Sequence, residues 1–423
     1  MRKTTGLFAA SGVAIAGLAF AAGVQAQTID NNFSRDHAVS VADRQHPEFT
    51  PLGLNLGAFK VSPTVEAGLG YNDNVRYTQS DKTSAAMFRV APAVSGATTW
   101  SRHALSFKVG AVSDSYSSAS TENTTAWNAS LNGRLDINSS ASLNGGLSHN
   151  RTYESRASYI SNPLAQKPVP IDIDVVSVGT TLVSNRVKFV GGLRSQTENY
   201  HTVNSTAGGT IPQDYRDLNT TAESGRVDYA ISPSFALFVA GEANQRRYDQ
   251  SSRNDSDGYF LAVGTSFEIG ALARGDIQLG TISQDYKNLT SGKLTSGYAH
   301  AKVEWFPTQI TTVTGLLDRG YYENPTSGTI SSGVLTTTAG VTVDHELLRN
   351  LLVTGNYTHV SYDFRNGART DTSDTLSASG RYMISRRVGF VAKLSHQKYD
   401  SSGLNAIRSF DDNAILLSAV LSY

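Results

Sequence analysis

Trp127-Asn-Ala-Ser-Leu-Asn-Gly-Arg-Leu135 sets Trp127, Ala129, Leu131, Gly133 and Leu135 against Asn128, Ser130, Asn132 and Arg134. Apolar and polar side chains alternate with a period of two, so the segment reads as a strand with one oily and one wet face. A tight turn follows at Asn138-Ser-Ser140, and Tyr153 comes near the end of the next apolar/polar run. The pattern returns elsewhere. Leu105, Phe107, Val109 and Ala111 alternate with Ser106, Lys108 and Gly110, and Phe235, Leu237, Val239 and Gly241 alternate with Ala236, Phe238, Ala240 and Glu242. The last such run is Ile415, Leu417, Ala419, Leu421 and Tyr423.

The turns keep a rhythm. They fall near Arg102, Ser139, Asn185, Pro233, Ala271, Gln309, Arg349 and Arg386, about 40 residues apart. Each is followed about 14 residues later by a tyrosine: Tyr116, Tyr153, Tyr200, Tyr248, Tyr286, Tyr322, Tyr362 and Tyr399. Tyr71 holds the same place one unit earlier. Between these short turns lie long polar loops, at Arg156 to Ile171, His201 to Leu218, Gln250 to Gly258, Asn324 to Gly333 and Ser401 to Asp412. Short turns at one end and long loops at the other are the arrangement of an outer-membrane barrel.

Counting hairpins predicts an all-β, antiparallel, up-and-down transmembrane barrel over residues 59–423, with about 18 strands and both barrel termini at the periplasmic side. The first strand is expected near Phe59 to Tyr71 and the last at Asn413 to Tyr423. In lipid a sheet must close on itself, because no backbone polar group can be left unpaired. The runs exceed the roughly 9 to 11 residues that a tilted spanning strand needs, so the hairpins should rise above the bilayer.

Residues 1–26 read as a secretory signal peptide. Arg2 and Lys3 lead a small, apolar stretch from Leu7 to Val24, and Val24-Gln25-Ala26 has the small-residue pattern of a cleavage site. Residues 27–58 do not alternate, and are expected to form a periplasmic arm or a small segment tucked into the lumen. The 36 basic and 36 acidic side chains balance, which argues against a nucleic-acid partner. With no cysteine there is neither a disulfide nor a thiolate metal site.

Catalytic constellations are absent from the sequence. His345-Glu346 is followed by Arg349 where a zinc-protease helix would need a second histidine, and the nine histidines are scattered. Asn254-Asp-Ser-Asp-Gly258 has the acidic and glycine residues of a calcium loop, and equally those of an exposed turn. No enzyme activity, cofactor or metal is expected.

If the apolar parity faces lipid, the other parity lines a pore. This assigns Arg89, Lys108, Arg134, Lys188, Arg194, Arg226, Arg246, Arg274, Lys302, Arg381 and Lys393 to the lumen, with Asp228, Glu242, Asp276 and Glu304 among the acidic members. A charge on the lipid face costs about 2 to 4 kcal/mol near the midplane, so the shared parity agrees with that assignment. The signs nearly balance, and no strong ion selectivity is expected. Tyr71 and Tyr153 are in phase with lipid-facing neighbours, as in an interfacial girdle. Tyr116, Tyr200, Tyr248, Tyr286, Tyr362 and Tyr399 are out of phase. They are candidates for aromatic rings in an outer vestibule, unless a β-bulge in each strand restores the phase.

Pro47-Glu-Phe-Thr-Pro-Leu-Gly53, Gly57-Ala-Phe59, Pro63, Tyr71-Asn-Asp-Asn-Val75 and the Trp100-Ser-Arg-His103 turn resemble the outer-membrane β-barrel porin family of proteobacteria. Beyond about residue 110 the resemblance is one of architecture. It implies a channel in the bacterial outer membrane, in contact with its lipid. It also implies a conduit for extracellular polysaccharide beside a periplasmic export complex. The C-terminal strand ending in Tyr423 is the expected contact for barrel-assembly machinery. A general diffusion porin for small solutes and a structural or adhesive surface barrel are the alternatives. The long loops discriminate, because a size-limiting porin folds one into its barrel; Arg156 to Ile171 and His201 to Leu218 are the candidates.

Overall fold

Eighteen antiparallel strands follow one another in the computed structural model, which describes residues 39–250, 255–287, 292–322, 333–365, 368–404 and 406–423. They are β1 Phe59–Asn72, β2 Ala85–Thr98, β3 Ala104–Tyr116, β4 Thr124–Asp136, β5 Ala141–Tyr153 and β6 Pro170–Ser184. Then come β7 Val187–Tyr200, β8 Leu218–Ser232, β9 Phe235–Tyr248, β10 Ser256–Ile269, β11 Ala273–Tyr286 and β12 Lys293–Thr308. The last six are β13 Thr311–Tyr322, β14 Val334–Leu348, β15 Leu351–Phe364, β16 Arg369–Met383, β17 Val388–Gly403 and β18 Phe410–Ser422. Each pairs with its neighbours in sequence, and β1 pairs with β18 through Tyr71 opposite Ile415 and Val65 opposite Leu421. That last ladder closes the sheet into a barrel. The expected signal peptide at 1–26, the start of the arm to residue 38 and most of the 324–333 loop lie outside the described residues.

The short turns are tight. Asn185-Arg186 joins β6 to β7 in two residues, with Asn185 at φ 51°, a backbone conformation that asparagine tolerates better than most residues. The described register shifts lie beside such turns, at Ala230/Ser232, Trp305/Thr308 and Glu346/Leu348. Away from the turns the ladders keep phase, so each strand holds one parity outward along its length.

The outward parity is aliphatic toward the short turns, with the aromatic Tyr71, Trp127 and Tyr259 exposed nearer the long loops. Leu143 and Leu147 on β5, Val176 and Val178 on β6, Val239 on β9, Leu261 and Val263 on β10, Leu279 on β11 and Leu417 on β18 are all exposed. Farther up, the same face turns polar. On β5 Leu147 is followed by His149 and Arg151, on β11 Leu279 by Ser283 and Asp285, and on β17 Leu394 by His396 and Lys398. Apolar positions thus cover about eight residues of each strand, close to the height a tilted spanning strand needs. The strands are 12 to 16 residues long, so their upper ends project beyond that band.

Residues 39–58 lie at the short-turn end. A short strand, Leu54–Leu56, pairs with the start of β1. The Val41 amide donates to Thr312 Oγ1 at 2.9 Å, on the inward face of β13. Arg44 meets Glu346 at 2.9 Å, Glu48 meets Arg349 at 3.2 Å, and Arg386 donates to the Pro47 carbonyl at 3.2 Å.

Candidate pore constriction and luminal wall

Contacts that skip strands identify the inward face. Arg226 on β8 donates to Asp228 at 2.7 Å, to Ser266 on β10 at 2.8 Å and to Asp276 on β11 at 2.9 Å. Its guanidinium sits 3.4 Å above the Phe238 ring of β9. Only the concave side of a curved sheet brings such residues together. Arg89 makes two hydrogen bonds of 2.6 Å to Asp114, a bidentate pair across β2 and β3. Arg274 pairs with Glu304, and Lys302 reaches the same carboxylate at 3.4 Å.

Register puts every residue of the sequence-derived luminal set on this face. The sites are nonetheless unlike. Arg89, Lys188, Arg226, Asp228 and Glu304 are buried in the wall. Arg194, Glu242, Arg246, Asp276 and Lys393 are half-buried, whereas Lys108, Arg134, Lys302 and Arg381 are exposed. The charge count balances, but the exposed members of the set are all cations, a difference that sequence counting does not register.

The six out-of-phase tyrosines also share the inward parity, without bulges. They do not form one open ring. Tyr200, Tyr248, Tyr286 and Tyr399 are buried, while Tyr116 and Tyr362 are half-buried. Tyr399 donates to Asp371 at 2.5 Å, and its ring stacks on Phe410 with centroids 5.1 Å apart. Tyr200 lies under the Arg216 guanidinium at 4.1 Å. Tyr71 faces outward and is exposed.

What covers several of these rings is the loop 154–169 between β5 and β6. Its base is pinned to the next long loop. Glu154 and Arg216 pair at 2.7 Å with both side chains 2% exposed, and Gln166 N–H donates to the Asn204 carbonyl at 2.8 Å. Burial pushes the Glu154 carboxyl above its ordinary pKa, and Arg216 pulls it back. Arg156 donates to Glu122, in the loop between β3 and β4, at 2.9 Å. The tip reaches the far wall. Ala157 is buried among Tyr77, Tyr399 and Phe410. The Tyr159 ring lies 4.9 Å from Tyr362 and 5.6 Å from Phe364, and Arg369 donates to its carbonyl at 3.3 Å. Arg408 donates to the Arg156 carbonyl.

β6 and β15 stand on opposite sides of the eighteen-strand ring, so this loop crosses the lumen at the long-loop end. Glu154, Arg216 and Tyr159 were not singled out by sequence reasoning, and no local pattern marks them. Of the suggested calcium loop, Asn254 lies outside the described residues, and Asp257 is engaged by Arg247 at 2.5 Å and Lys287 at 3.4 Å.

Residues 46–423 match the protein family described as "Putative beta-barrel porin 2". No curated protein is similar in sequence to the chain. Among solved structures, the chain is similar to OccK2 (OpdF) of Pseudomonas aeruginosa in complex with glucuronate, at 13% identity and TM-score 0.47, over 87% of this chain and 99% of that one. It is also similar to a BenF-like porin from Pseudomonas fluorescens, at 10% identity and TM-score 0.48, over 87% of this chain and 100% of that one. OccAB3 of Acinetobacter baumannii matches at 10% identity and TM-score 0.46, over the same shares.

Proposed function

The chain belongs to the β-barrel porin 2 family, and on that premise we propose that it is a passive diffusion channel for small polar solutes. Its short turns face the periplasm and its long loops face outward. The outer-membrane bilayer surrounds the apolar band.

One observation carries this reading: the 154–169 loop crosses the lumen and is pinned at both ends. A loop held by Glu154–Arg216 at its base and by Ala157 and Tyr159 at its tip divides the cross-section. That supports a size limit. A conduit for extracellular polysaccharide needs the clear bore that such a loop removes, so the export role is the weaker reading. Inside, Arg134 pairs with Asp136 at 2.8 Å and Lys302 with Glu304 at 3.4 Å, whereas the exposed Lys108 and Arg381 favour anions over cations of equal size.

The test replaces residues 157–166 with a short Gly-Ser linker and measures the pure protein in planar bilayers and swelling proteoliposomes. We expect severalfold higher conductance and a raised size limit for neutral sugars. A wild-type protein that already passes long dextran chains, with conductance unchanged by the replacement, would overturn the proposal in favour of polymer export.

A further inference from the structure

The rim of short turns carries charge of one sign. Its turn residues are 99–103, 137–140, 185–186, 233–234, 270–272, 309–310, 349–350 and 384–387. Arg102, Arg186, Arg349, Arg386 and Arg387 lie among them, each exposed, and no aspartate or glutamate does. The arginines are not spread evenly. Arg349, Arg386 and Arg387 occupy two successive turns, β14–β15 and β16–β17, about 10 Å apart at two strand spacings. The three turns before them, Pro233-Ser234, Gly270-Ala-Leu272 and Gln309-Ile310, hold no charge.

What these arginines touch leaves the rim positive. Arg386 donates to the Pro47 carbonyl at 3.2 Å, and the Arg387 guanidinium lies 5.0 Å from the centroid of the Tyr423 ring. Neither a carbonyl nor a ring cancels a charge. Glu48 reaches Arg349 at 3.2 Å, yet the Arg349 side chain is still 83% exposed. Glu346 faces the lumen instead, where Arg44 holds it at 2.9 Å.

The outer face of the barrel turns apolar directly above. Ile384 in the turn, Tyr382 and Phe390 on the strands beside it, and Leu347 and Leu348 next to Arg349 are exposed. Tyr382 pairs with Phe390 in register, so both aromatic side chains leave the same face of adjacent strands. Aromatic residues gather where headgroups meet hydrocarbon. Guanidinium groups present paired N–H donors that match phosphate oxygens. A free phosphate would use the arginines and ignore the apolar face. The two surfaces together suit one molecule with an anionic head and acyl chains.

We infer that the arc from Arg349 to Arg387 binds the phosphate headgroup of an anionic phospholipid in the periplasmic leaflet, with the acyl chains against Tyr382 and Phe390. The uncharged arc around Leu272 and Ile310 makes no such choice among lipids. This rests on the membrane placement proposed above and is independent of the solute that the channel passes.

The probes are brominated phosphatidylglycerol and brominated phosphatidylcholine, compared as quenchers of tryptophan fluorescence in vesicles that hold the full-length barrel. Two single-tryptophan forms are needed. One keeps Trp305, exposed on β12 near the uncharged Gln309-Ile310 turn, and carries Trp100→Phe and Trp127→Phe. The other adds Trp305→Phe and Tyr382→Trp, which sets the reporter beside Arg386. Preference for phosphatidylglycerol should be about fivefold greater at position 382 than at Trp305, the scale of one basic side chain at an anionic surface. Arg386→Gln with Arg387→Gln should abolish that difference. Arg386→Lys with Arg387→Lys should keep most of it, which guards against a glutamine form that fails to insert. Equal preference at the two reporters, or a difference that survives the glutamine changes, would overturn the site while leaving the membrane placement intact. Quenching of neither reporter by either lipid would overturn the placement and the site with it.

Discussion

The lower and upper halves of the same strands wear their oily faces on opposite sides. Near the short turns the outward side chains are apolar, as at Val239, Leu261 and Leu279, while the inward ones are the ion pairs of Arg226 and Arg274. Near the long loops the outward side chains are His149, Asp174, Ser283, Asp374 and Lys398, and the inward ones are Tyr200, Tyr286, Tyr399 and Phe410. Nothing in the ladders changes at the crossover, since each strand keeps its parity. What changes is the surroundings. Below, lipid supplies an apolar exterior and water a polar interior. Above, water lies outside, and the folded-in loop supplies an apolar interior. The crossover marks where the hydrocarbon ends.

The largest test of this contrast lies in the upper half. Arg216→Ala leaves Glu154 buried beside a missing partner, and breaking a buried pair costs about 3 to 5 kcal/mol. Arg156 and Arg408 also act on Glu154, so the lower end of that range is expected, read as loss of protease resistance in the 154–169 loop. A loop that stays protected would show that its tip contacts hold it alone.

Next in size is a pair of substitutions on one strand face. Leu279→Arg lies within the outward apolar band and should cost about 2 to 4 kcal/mol in refolding into bilayers. Asp285→Arg, at an exposed outward position six residues higher on the same strand, should cost about 0 to 1 kcal/mol. Equal costs would move the membrane boundary and dissolve the distinction between the halves.

The smallest effect concerns the lower lumen. Lys108→Glu together with Arg381→Glu should shift the zero-current potential in a KCl gradient toward cation preference, while leaving stability and assembly unchanged. An unchanged potential would place the selective region elsewhere, at the crossing loop.

Much of the barrel is legible in the sequence because strand alternation is local. Trp127 through Leu135 announces its two faces without help from any distant residue, and a turn such as Asn138-Ser-Ser140 limits where the strand can end. Strand number, the identity of the luminal face and the inward phase of Tyr116 through Tyr399 follow from that periodicity and from the family resemblance. The loop's path does not. Ala157 is buried only because Tyr77, Tyr399 and Phe410 gather around it, and these lie 80 residues before it and more than 240 after it. The expectation of a wide export conduit came from the resemblance, and a crossing loop is a feature that strand architecture cannot convey. The arm is intermediate: its lack of alternation showed that it was not a barrel strand, but its docking on Thr312 and Glu346 depends on residues near 310 and 346.

The seam between β1 and β18 has a consequence for time rather than for space. Tyr71 finds Ile415 only after every intervening hairpin exists. Long-range pairing of this kind is slow, and the chain carries unpaired edges until it is done. A chain ending before Phe410 would keep two such edges for good, and in hydrocarbon neither could be satisfied. The final thirteen residues of β18 therefore decide whether the preceding seventeen strands become a wall or an aggregate.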